Sequence, residues 1–299
     1  MDRNLDAFLA VARANTLTEA SESIGLTQPS LTKRIANLEE SIGTELFIRH
    51  RRGMTLTEAG HVFLRHAKRI EAEYRQCQEE VGIVGSAGLS VLRVGAGPLF
   101  HLNCVAGLFA QLKSEFPHLK LELSTDVNLP KSDLLNDGTL DVYMGVITDD
   151  HLDDTIYVKY VTQVEHGLVL HPDDPFAKRE TLDPAELEGY NWVIFAVDPE
   201  TERTIRDYFV PGSMNRSIID VRTTSFNTGL QLVHEGKFVL SAPLQLATVI
   251  NSTGLVIRPT TQGMPTRRAG IYVRESALGY GVIQSVLQYF DTYVFDFQK

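Results

Sequence analysis

The chain has 299 residues and a formal net charge of −10 at pH 7, with 43% hydrophobic and 22% charged residues. This balance is typical of globular protein and excludes extended disorder and a chain that is basic throughout. The acidity is uneven, because residues 1–90 carry 11 Lys and Arg against 12 Asp and Glu, whereas residues 91–299 carry 17 against 26. Binding to phosphates depends on local charge and not on the net charge of the chain. The basic clusters at 33–34, 49–52 and 65–69 are therefore compatible with a nucleic-acid partner.

The two cysteines, Cys77 and Cys104, stand in different segments and have no spacing typical of a disulfide framework or a metal site. The first 14 residues place acids in an amphipathic helical pattern, unlike a secretory signal. Two long uncharged runs, 94–112 and 238–257, contain Gly, Pro or Asn and are more typical of buried α/β segments than of membrane spans. We therefore expect a cytoplasmic protein without a membrane partner.

A helical pattern at residues 5–14 is followed by two shorter helical patterns that flank a turn at Gly25. In the second of these, Leu31, Ile35 and Leu38 recur at i, i+4 and i+7 and form one apolar row. A row of this kind predicts a short helix with one buried face and one face toward solvent.

The start and the outer face of this second helix carry the side chains that can meet a ligand. Thr27 is a typical N-cap, and Pro29 fits the first turn because its missing N–H would be unpaired there. The outward positions add amides, hydroxyls and a cation: Gln28, Ser30, Thr32, Lys33 and Asn37. The pattern predicts a helix-turn-helix, although any corner between two helices could also produce it.

A basic turn follows the second helix. Residues 45–56 place strand-like segments on each side of Arg49, His50, Arg51 and Arg52. This arrangement predicts a β-wing, a hairpin whose cations reach phosphates or the minor groove. The alternative is a solvated charge run, which is less typical of a turn beside a recognition helix.

Residues 4–64 resemble the winged helix-turn-helix of the LysR-type transcriptional regulators. The matching runs follow the family's order nearly without gaps: FLAVA (8–12), TEAS (18–21), TQPSLTKRIANLEESIG (27–43), LFIR (46–49) and LTEAG (56–60). The resemblance implies a domain over residues 1–58 that binds duplex DNA with its second helix in the major groove. The candidate contacts are Thr27, Gln28, Pro29, Ser30, Thr32, Lys33, Arg34, Arg49, Arg51 and Arg52. Many relatives have Arg in place of Lys33, and Lys lacks the planar fork that recognises guanine.

A further helical pattern, capped by Thr57, runs to about Val84. Its apolar or small positions are spaced 4, 3, 4, 3, 4 and 3 residues apart: Phe63, Ala67, Ile70, Tyr74, Cys77, Val81 and Val84. This stripe of two positions per heptad predicts a seam that pairs with another copy, and the alternative is a single helix packed on its own domain. The resembled family has a dimerising linker helix here, which implies linker and hinge at residues 59–88 and a homodimer or tetramer as the assembly.

Strand and helix patterns alternate after the hinge, which predicts a parallel-type sheet in an α/β domain. The expected helices include 99–116, 184–187 and 202–209, and the strand pattern passes from 141–146 directly to 165–170. Runs such as LRVGAGPLF and LVHEGKFVLSAP resemble the family's effector domain, which implies two periplasmic-binding-protein-like lobes over residues 89–299. Lobe I is expected at about 89–162 and 268–299, and lobe II at about 163–267. The fold class is therefore α/β with an N-terminal all-α winged helix-turn-helix and a long linker helix.

Gly95-Ala-Gly97 matches the first two glycines of the dinucleotide-binding fingerprint G-x-G-x-x-G. The third glycine would fall at Phe100, however, and Pro98 lacks the N–H that a phosphate would need. The loop can still bind polar ligand atoms through N–H groups at the following helix start. In the resembled family such loops border the cleft between the lobes. The candidate lining, with packing or capping as the alternative, is Gly97, Leu99, Phe100, His101, Asn128, Phe195, Ser225 and Phe226. Because this set contains no Lys or Arg, we expect an aromatic or largely apolar small-molecule effector.

No catalytic pattern is present, because Gly-x-Ser-x-Gly, phosphate-loop and His-Glu-x-x-His runs are all absent from the sequence. His61 and His66 are five residues apart, which is poor spacing for one metal ion. We therefore expect no metal, no cofactor and no enzyme activity. The predicted function is a sequence-specific DNA-binding transcriptional regulator that responds to a small-molecule effector. A ligand-independent architectural DNA-binding protein and an α/β enzyme are the alternatives.

Overall fold

The computed structural model describes all of the chain except residues 1, 15, 51–52, 84–88, 126–130, 149–153, 184–185, 187–189, 196–218, 237, 262–264 and 296–299. The chain forms two compact units. The first contains Met1–Gly88 and Asp133–Thr139, and the second contains Leu89–Ser132 and Leu140–Lys299.

Helices and one hairpin build the N-terminal part of the first unit. Its elements are α1 (Arg3–Arg13), α2 (Leu17–Ser23), α3 (Gln28–Ile42), β1 (Phe47–His50), β2 (Gly53–Leu56) and α4 (Glu58–Ile83). Each of the first three helices starts where the sequence supplies a cap, because the side chains of Asp2, Thr16 and Thr27 accept hydrogen bonds from first-turn N–H groups. Gly43, with φ of 80°, ends α3 in the left-handed conformation that glycine adopts most easily. The predicted winged helix-turn-helix is confirmed.

The apolar rows of these helices meet in one core. Phe8 of α1 is fully buried, and its ring centroid lies 4.8 Å from that of Phe63 and 5.1 Å from that of Phe47. Leu31 and Ile35 of α3 are fully buried in the same core. Burial of side chains of this size stabilises a fold by about 1.5–3 kcal/mol each. The inward row therefore fixes which face of α3 is turned toward solvent.

From residue 89 onward the chain forms two five-stranded sheets with flanking helices. The elements are β3 (Val91–Ala96), α5 (Pro98–Asn103), α6 (Val105–Glu115), β4 (Lys120–Ser124), α7 (Lys131–Asn136), β5 (Val142–Val146), β6 (Ile156–Val164), β7 (His166–Leu170), β8 (Asn191–Phe195), β9 (Ile219–Thr223), α8 (Phe226–His234), β10 (Phe238–Pro243), α9 (Ala247–Ser252), β11 (Val256–Pro259), β12 (Arg267–Arg274) and α10 (Gly281–Thr292). Short 3₁₀ helices occur at Pro175–Lys178, Leu244–Leu246 and Glu275–Gly279. The strand orders are β4-β3-β5-β12-β6 and β11-β7-β10-β8-β9.

The sheets are mixed, which corrects the expectation of a parallel-type sheet. Each sheet contains parallel pairs: β3 pairs in parallel with β4 and β5, and β8 pairs in parallel with β9 and β10. The chain crosses between the sheets directly from β6 to β7 and returns into β12. The antiparallel pairs involve these crossing segments, because β12 runs antiparallel to its two neighbours β5 and β6, and β7 runs antiparallel to its two neighbours β10 and β11.

Some predicted elements differ from those observed. The strand β6 was not predicted, since it is an edge strand whose central positions are exposed or only half-buried and show no clean alternation. The expected helix at 99–116 is divided at Cys104, whose φ of −126° separates α5 from α6 without any helix-breaking residue in the sequence. The expected helix at 202–209 and most of the one at 184–187 lie outside the described residues. Among the described helices, none combines the length and the apolar character needed to cross a membrane.

The two sheets of the second unit are joined by hydrogen bonds beside the crossing segments. Gln245, which follows β10, donates from Nε2 to the carbonyl oxygen of Gln163 at 2.7 Å. Asn103, at the end of α5, donates from Nδ2 to the carbonyl oxygen of Gln245 at 3.3 Å. Leu244 N–H donates to the carbonyl oxygen of Glu165 at 2.8 Å. These bonds lie at the carboxyl ends of β6 and β10, and the carboxyl ends of strands are where open α/β sheets bind ligands.

Candidate DNA-binding surface and effector cleft

The helix α3 presents a polar face to solvent. Thr27, Gln28, Pro29 and Ser30 at its start are exposed, and Lys33 is exposed one turn later. Thr32 and Arg34 are half-buried. A helix that is held by an apolar row and exposes amide, hydroxyl and ammonium groups has the chemistry needed to contact base edges and phosphates.

Two of the candidate DNA contacts on α3 also bind within the domain. The Nε2 atom of Gln28 donates a hydrogen bond to Oγ1 of Thr18 in α2, at 2.9 Å. The Nη1 atom of Arg34 donates to the carbonyl oxygen of Arg3 at the start of α1, at 3.2 Å. Gln28 is thereby oriented by α2, whereas Arg34 is drawn toward α1.

The predicted wing is a tight hairpin. His50 lies opposite Gly53, and Arg49 lies opposite Met54. The guanidinium of Arg49 is about half exposed and its Nη2 atom lies 4.0 Å from Oε2 of Glu39. Arg51 and Arg52 lie outside the described residues.

The predicted seam of α4 divides into two parts. Phe63 packs edge-on against Phe8, and Ala67 is fully buried in the domain core. At Phe63 and Ala67, α4 therefore packs on its own domain, which was the alternative to a seam that pairs with another copy. Ile70 and Tyr74 are 51% and 43% exposed, and both line one shallow depression of the helix surface. The depression is completed by polar side chains: His66, Arg69 and Glu73.

The last seam positions extend the same helix. Cys77 is exposed, and a helical step of three residues from Tyr74 places it along the same side. Val81 belongs to α4, but its side chain lies outside the described residues, and Val84 lies outside them altogether. The exposed apolar part of the seam among described residues is therefore Ile70, Tyr74 and Cys77.

The first lobe contributes packing residues as well as polar groups near the expected cleft. Phe100 is fully buried between Phe290 and Phe295, with ring centroids 5.9 and 5.7 Å away. Leu99 is 6% exposed in the same core. His101 is half-buried, its Nδ1 atom lies 3.3 Å from the carbonyl oxygen of Ala96, and burial lowers its pKa.

Gly97 lies at the carboxyl end of β3, where its N–H donates to the carbonyl oxygen of Met144 at 2.9 Å. Asn128 lies outside the described residues. Lys131 was not among the residues predicted from the sequence, and its ammonium donates to the carbonyl oxygen of Val146 at 2.7 Å, at the carboxyl end of β5. Its ammonium also lies 5.3 Å from the ring centroids of two buried tyrosines. No spacing signal marks this cation in the sequence.

The second lobe places the remaining candidates together. The rings of Phe195, at the end of β8, and Phe226, at the start of α8, lie edge-on with centroids 6.1 Å apart. Ser225 caps α8, because its hydroxyl oxygen accepts the N–H of Thr228 at 3.2 Å. Phe226 is 6% exposed, so its ring is mainly a packing group, whereas Phe195 is half-buried.

Gln245 is a further polar residue at the junction of the lobes, and it was not predicted from the sequence. The side chain of Gln245 is 4% exposed, and its Oε1 atom has no hydrogen-bond partner within the part of the chain that the structure describes. Nothing in the sequence distinguishes it from a surface glutamine. Within the same described part, no cluster of three or more His, Cys, Asp and Glu is arranged to hold a metal ion.

A winged helix-turn-helix joined through a long helix to a two-sheet α/β unit defines a transcriptional regulator with a ligand-binding domain. Residues 3–61 match the lysR family of bacterial regulatory helix-turn-helix proteins, and residues 88–293 match the LysR substrate binding domain. The chain belongs to the LysR family of transcriptional regulators. It is therefore a DNA-binding regulator and not an enzyme, which confirms the predicted function and fold class.

Named regulators and solved structures are similar to this chain over most of its length. The Hca operon transcriptional activator HcaR of Escherichia coli K12 is 27% identical, and the alignment covers 88% of both chains. The structure of a full-length OxyR variant from Pseudomonas aeruginosa has a TM-score of 0.67 at 18% identity and covers 98% of both chains. Full-length CbnR in complex with its target DNA has a TM-score of 0.66 at 18% identity, covering 97% of this chain and 99% of that one. These two structures show the shared fold.

Proposed function

We propose that α3 enters the major groove of promoter DNA and that the wing contacts the backbone or the minor groove. Gln28 and Thr32 read base edges, and Lys33 contacts a base or a phosphate. Arg49 and Arg52 of the wing neutralise phosphates or enter the minor groove. The observation that carries this proposal is the exposed polar face of α3, held outward by its buried apolar row.

The remaining members of the proposed contact set lie at the edges of this surface. Thr27, Pro29 and Ser30 form the exposed start of α3, where helix N–H groups favour phosphate oxygens. Arg34 supplies positive charge beside the helix, and Arg51 adds to the positive charge of the wing segment. The hydrogen bond from Arg34 to the first helix supports a backbone contact rather than base recognition for this residue.

We propose that α4 joins two copies through its exposed apolar side, into a homodimer or a tetramer. Ile70, Tyr74 and Cys77 form the described part of that side, and two such helices would bury these apolar groups against each other. This assignment supports functional divisions at residues 1–58, 59–88 and 89–299. Two recognition helices in a symmetric dimer would then read two half-sites.

We propose that a small-molecule effector binds between the two sheets of residues 89–299. Gly97, His101, Phe195 and Ser225 are the candidates that keep exposed or half-buried surface near the strand ends. A largely apolar or aromatic compound suits Phe195, and the ammonium of Lys131 at the end of β5 favours a compound that also carries an anionic group. An effector changes DNA binding only if it prefers one domain arrangement.

We place the regulator in the cytoplasm, where bacterial promoter DNA is found. Its two cysteines are both unpaired, as a reducing compartment favours.

The experiment that tests DNA binding is a gel shift on the DNA upstream of the protein's own gene, at several salt concentrations. We expect a specific complex whose affinity falls steeply with salt, because neutralised phosphates release counterions. Gln28→Ala should weaken the complex, and Gln288→Ala is the matched control, since Gln288 is an exposed helical glutamine of the second unit. A complex that is absent, or equally tight in both variants, would contradict the proposal.

A thermal-shift screen against the metabolites of neighbouring genes tests the effector proposal. Stabilisation by one compound, lost in Phe195→Ala, would support a ligand between the sheets. No shift with any of them would favour the ligand-independent DNA-binding alternative.

A further inference from the structure

The base of the wing is held by one carboxylate of the recognition helix. Oε1 of Glu39, near the end of α3, accepts the N–H of Leu46 at 2.8 Å and the N–H of Phe47 at 3.0 Å. The Glu39 side chain is only 14% exposed, and both backbone donors belong to buried residues. Charge-assisted hydrogen bonds of this kind are roughly twice as strong as neutral ones. The recognition helix therefore fastens the residues where the first strand of the wing begins.

The opposite side of the same peptide is held by the start of the linker helix. The carbonyl oxygen of Leu46 accepts the N–H of Thr57 at 2.9 Å. The Thr57 hydroxyl donates to the carbonyl oxygen of Glu45 at 2.9 Å and accepts the N–H of Gly60 at 2.9 Å. A Cβ atom at Gly60 would lie 2.1 Å from the carbonyl oxygen of Leu46, so this close approach requires glycine. The Leu46 peptide thus links α3, the wing and α4.

We propose that Glu39 is a positioning residue for DNA binding, which sets the wing relative to the recognition helix through the backbone of Leu46 and Phe47. This inference rests on the proposed contact between the wing and DNA. Its effect is exerted on Arg49, two residues after Phe47, whose Nη2 atom lies 4.0 Å from Oε2 of Glu39. Without the carboxylate, two buried N–H groups lose their acceptor, and the strand that carries Arg49 is no longer tied to α3.

Electrostatics alone leads to the opposite expectation, which makes the inference testable. A carboxylate beside Arg49, a proposed DNA contact, repels phosphates, so removing its charge should tighten binding if charge were its only effect. Glu39→Gln removes the charge but keeps an oxygen that can accept both N–H groups. Glu39→Met removes the charge and the acceptor at similar length. The two variants therefore separate repulsion from positioning.

The experiment measures DNA affinity by fluorescence anisotropy for Glu39→Gln and Glu39→Met, each with and without Arg49→Ala. Glu40→Gln and Glu40→Met are matched controls, because Glu40 is the exposed neighbour on the same helix. We expect Glu39→Gln to bind as tightly as the unaltered protein or more tightly, and Glu39→Met to bind roughly fivefold to twentyfold more weakly. In the Glu39→Met protein, the additional Arg49→Ala substitution should reduce DNA affinity only slightly further. Both Glu40 variants should bind DNA no more weakly than the unaltered protein.

The opposing results are distinct. Equal affinities of Glu39→Gln and Glu39→Met, or an Arg49→Ala effect of the same size in Glu39→Met as in the unaltered protein, would overturn the positioning role. If Glu39→Met does not fold, Glu39→Asp takes its place, because the shorter side chain keeps the charge but withdraws the acceptor. Failure of the unaltered protein to bind DNA would instead contradict the proposed function itself.

Discussion

The side-chain amide of Gln28 donates a hydrogen bond to the hydroxyl of Thr18, with 2.9 Å between Nε2 and Oγ1. The bond joins the first turn of the recognition helix to the helix that precedes it. A glutamine reads adenine through its carbonyl oxygen and one amide hydrogen, and the second amide hydrogen is the one that Thr18 can hold. The hydrogen bond to Thr18 therefore leaves free the atoms of Gln28 that the proposed base recognition needs.

Replacing Thr18 by valine should relax sequence discrimination at the base pair that we propose Gln28 contacts. Valine keeps the shape of threonine but removes the hydroxyl, so the glutamine loses its fixed orientation. Because an exposed hydrogen bond is worth little, we expect a loss of about 0.5–1 kcal/mol in discrimination and nearly unchanged affinity for unrelated DNA. Competition with single base-pair variants of the site measures it. Thr18→Ser keeps the hydroxyl and should keep the discrimination; equal specificity of valine and serine variants would refute this role.

Charged substitutions on the exposed side of α4 should split the assembly. Tyr74→Glu and Ile70→Asp place a carboxylate where we propose apolar contact between copies, and an unpaired buried charge is strongly unfavourable. Light scattering should report a lower mass for both variants. Arg65→Glu is the control, because Arg65 is an exposed residue of the same helix outside that side. A monomeric unaltered protein, or variants of unchanged mass, would contradict the pairing of these helices.

Phe63 should behave differently from Tyr74, although both belong to the same heptad pattern. Its ring packs against Phe8 inside its own domain. We expect Phe63→Ala to lower the free energy of unfolding by about 2–4 kcal/mol and to leave the mass of the folded assembly unchanged. Urea unfolding and light scattering on the same sample distinguish the two effects. If Phe63→Ala lost the assembly while its free energy of unfolding stayed unchanged, Phe63 would instead belong to the interface between copies.

Phe100→Ala should destabilise the effector domain rather than remove a ligand contact. The ring is fully buried between Phe290 and Phe295, so its removal leaves a cavity that costs about 3–5 kcal/mol. Urea unfolding followed by the fluorescence of the single tryptophan, Trp192, reports this domain. A stable Phe100→Ala protein with lost effector response would place the ring in the cleft instead.

The stability of the same domain should decrease in acid through His166. Burial, and secondarily the charge of Arg267, lower the pKa of His166 from its ordinary 6.5 to about 4. The unfolded chain then takes up a proton below about pH 6.5 that the folded protein accepts only near pH 4. The free energy of unfolding therefore decreases as the pH falls through this window, by up to about 3 kcal/mol.

Urea unfolding of the unaltered protein and of His166→Gln between pH 7.5 and pH 4 tests this effect, because glutamine does not titrate. The variant should lose less stability over the window than the unaltered protein. Parallel curves for the two proteins would show that His166 does not resist protonation in the folded state.

Local signals explain why the DNA-binding domain could be predicted from the sequence. The cap at Thr27 and the apolar row of Leu31 and Ile35 act within a few residues of each other, and both are found as expected. The heptad pattern of α4 also predicted a helix correctly. It could not say which surface covers each position, because Phe63 is covered by Phe8, a residue of another helix.

The effector domain was less predictable because its determinants lie far apart in the chain. The rings that bury Phe100 are about 190 residues away, and the carbonyl that pairs with Gln245 is 82 residues away. An aromatic side chain beside a loop has the same local pattern whether it packs inward or lines a cleft. Strand direction in β12 is likewise set by the crossing between sheets and not by its own residues.

The most direct test of the central claim compares Gln28→Ala and Arg49→Ala in anisotropy competition with every single base-pair variant of the binding site. The account predicts that Gln28→Ala costs about 1–3 kcal/mol of discrimination at one position. Arg49→Ala should weaken binding equally for every variant of the base pair assigned to Gln28, and it should reduce the slope of log affinity against log salt concentration by about one. Uniform weakening by Gln28→Ala, or a change by Arg49→Ala in the preference at the base pair assigned to Gln28, would contradict the proposal that α3 reads this base pair and the wing does not.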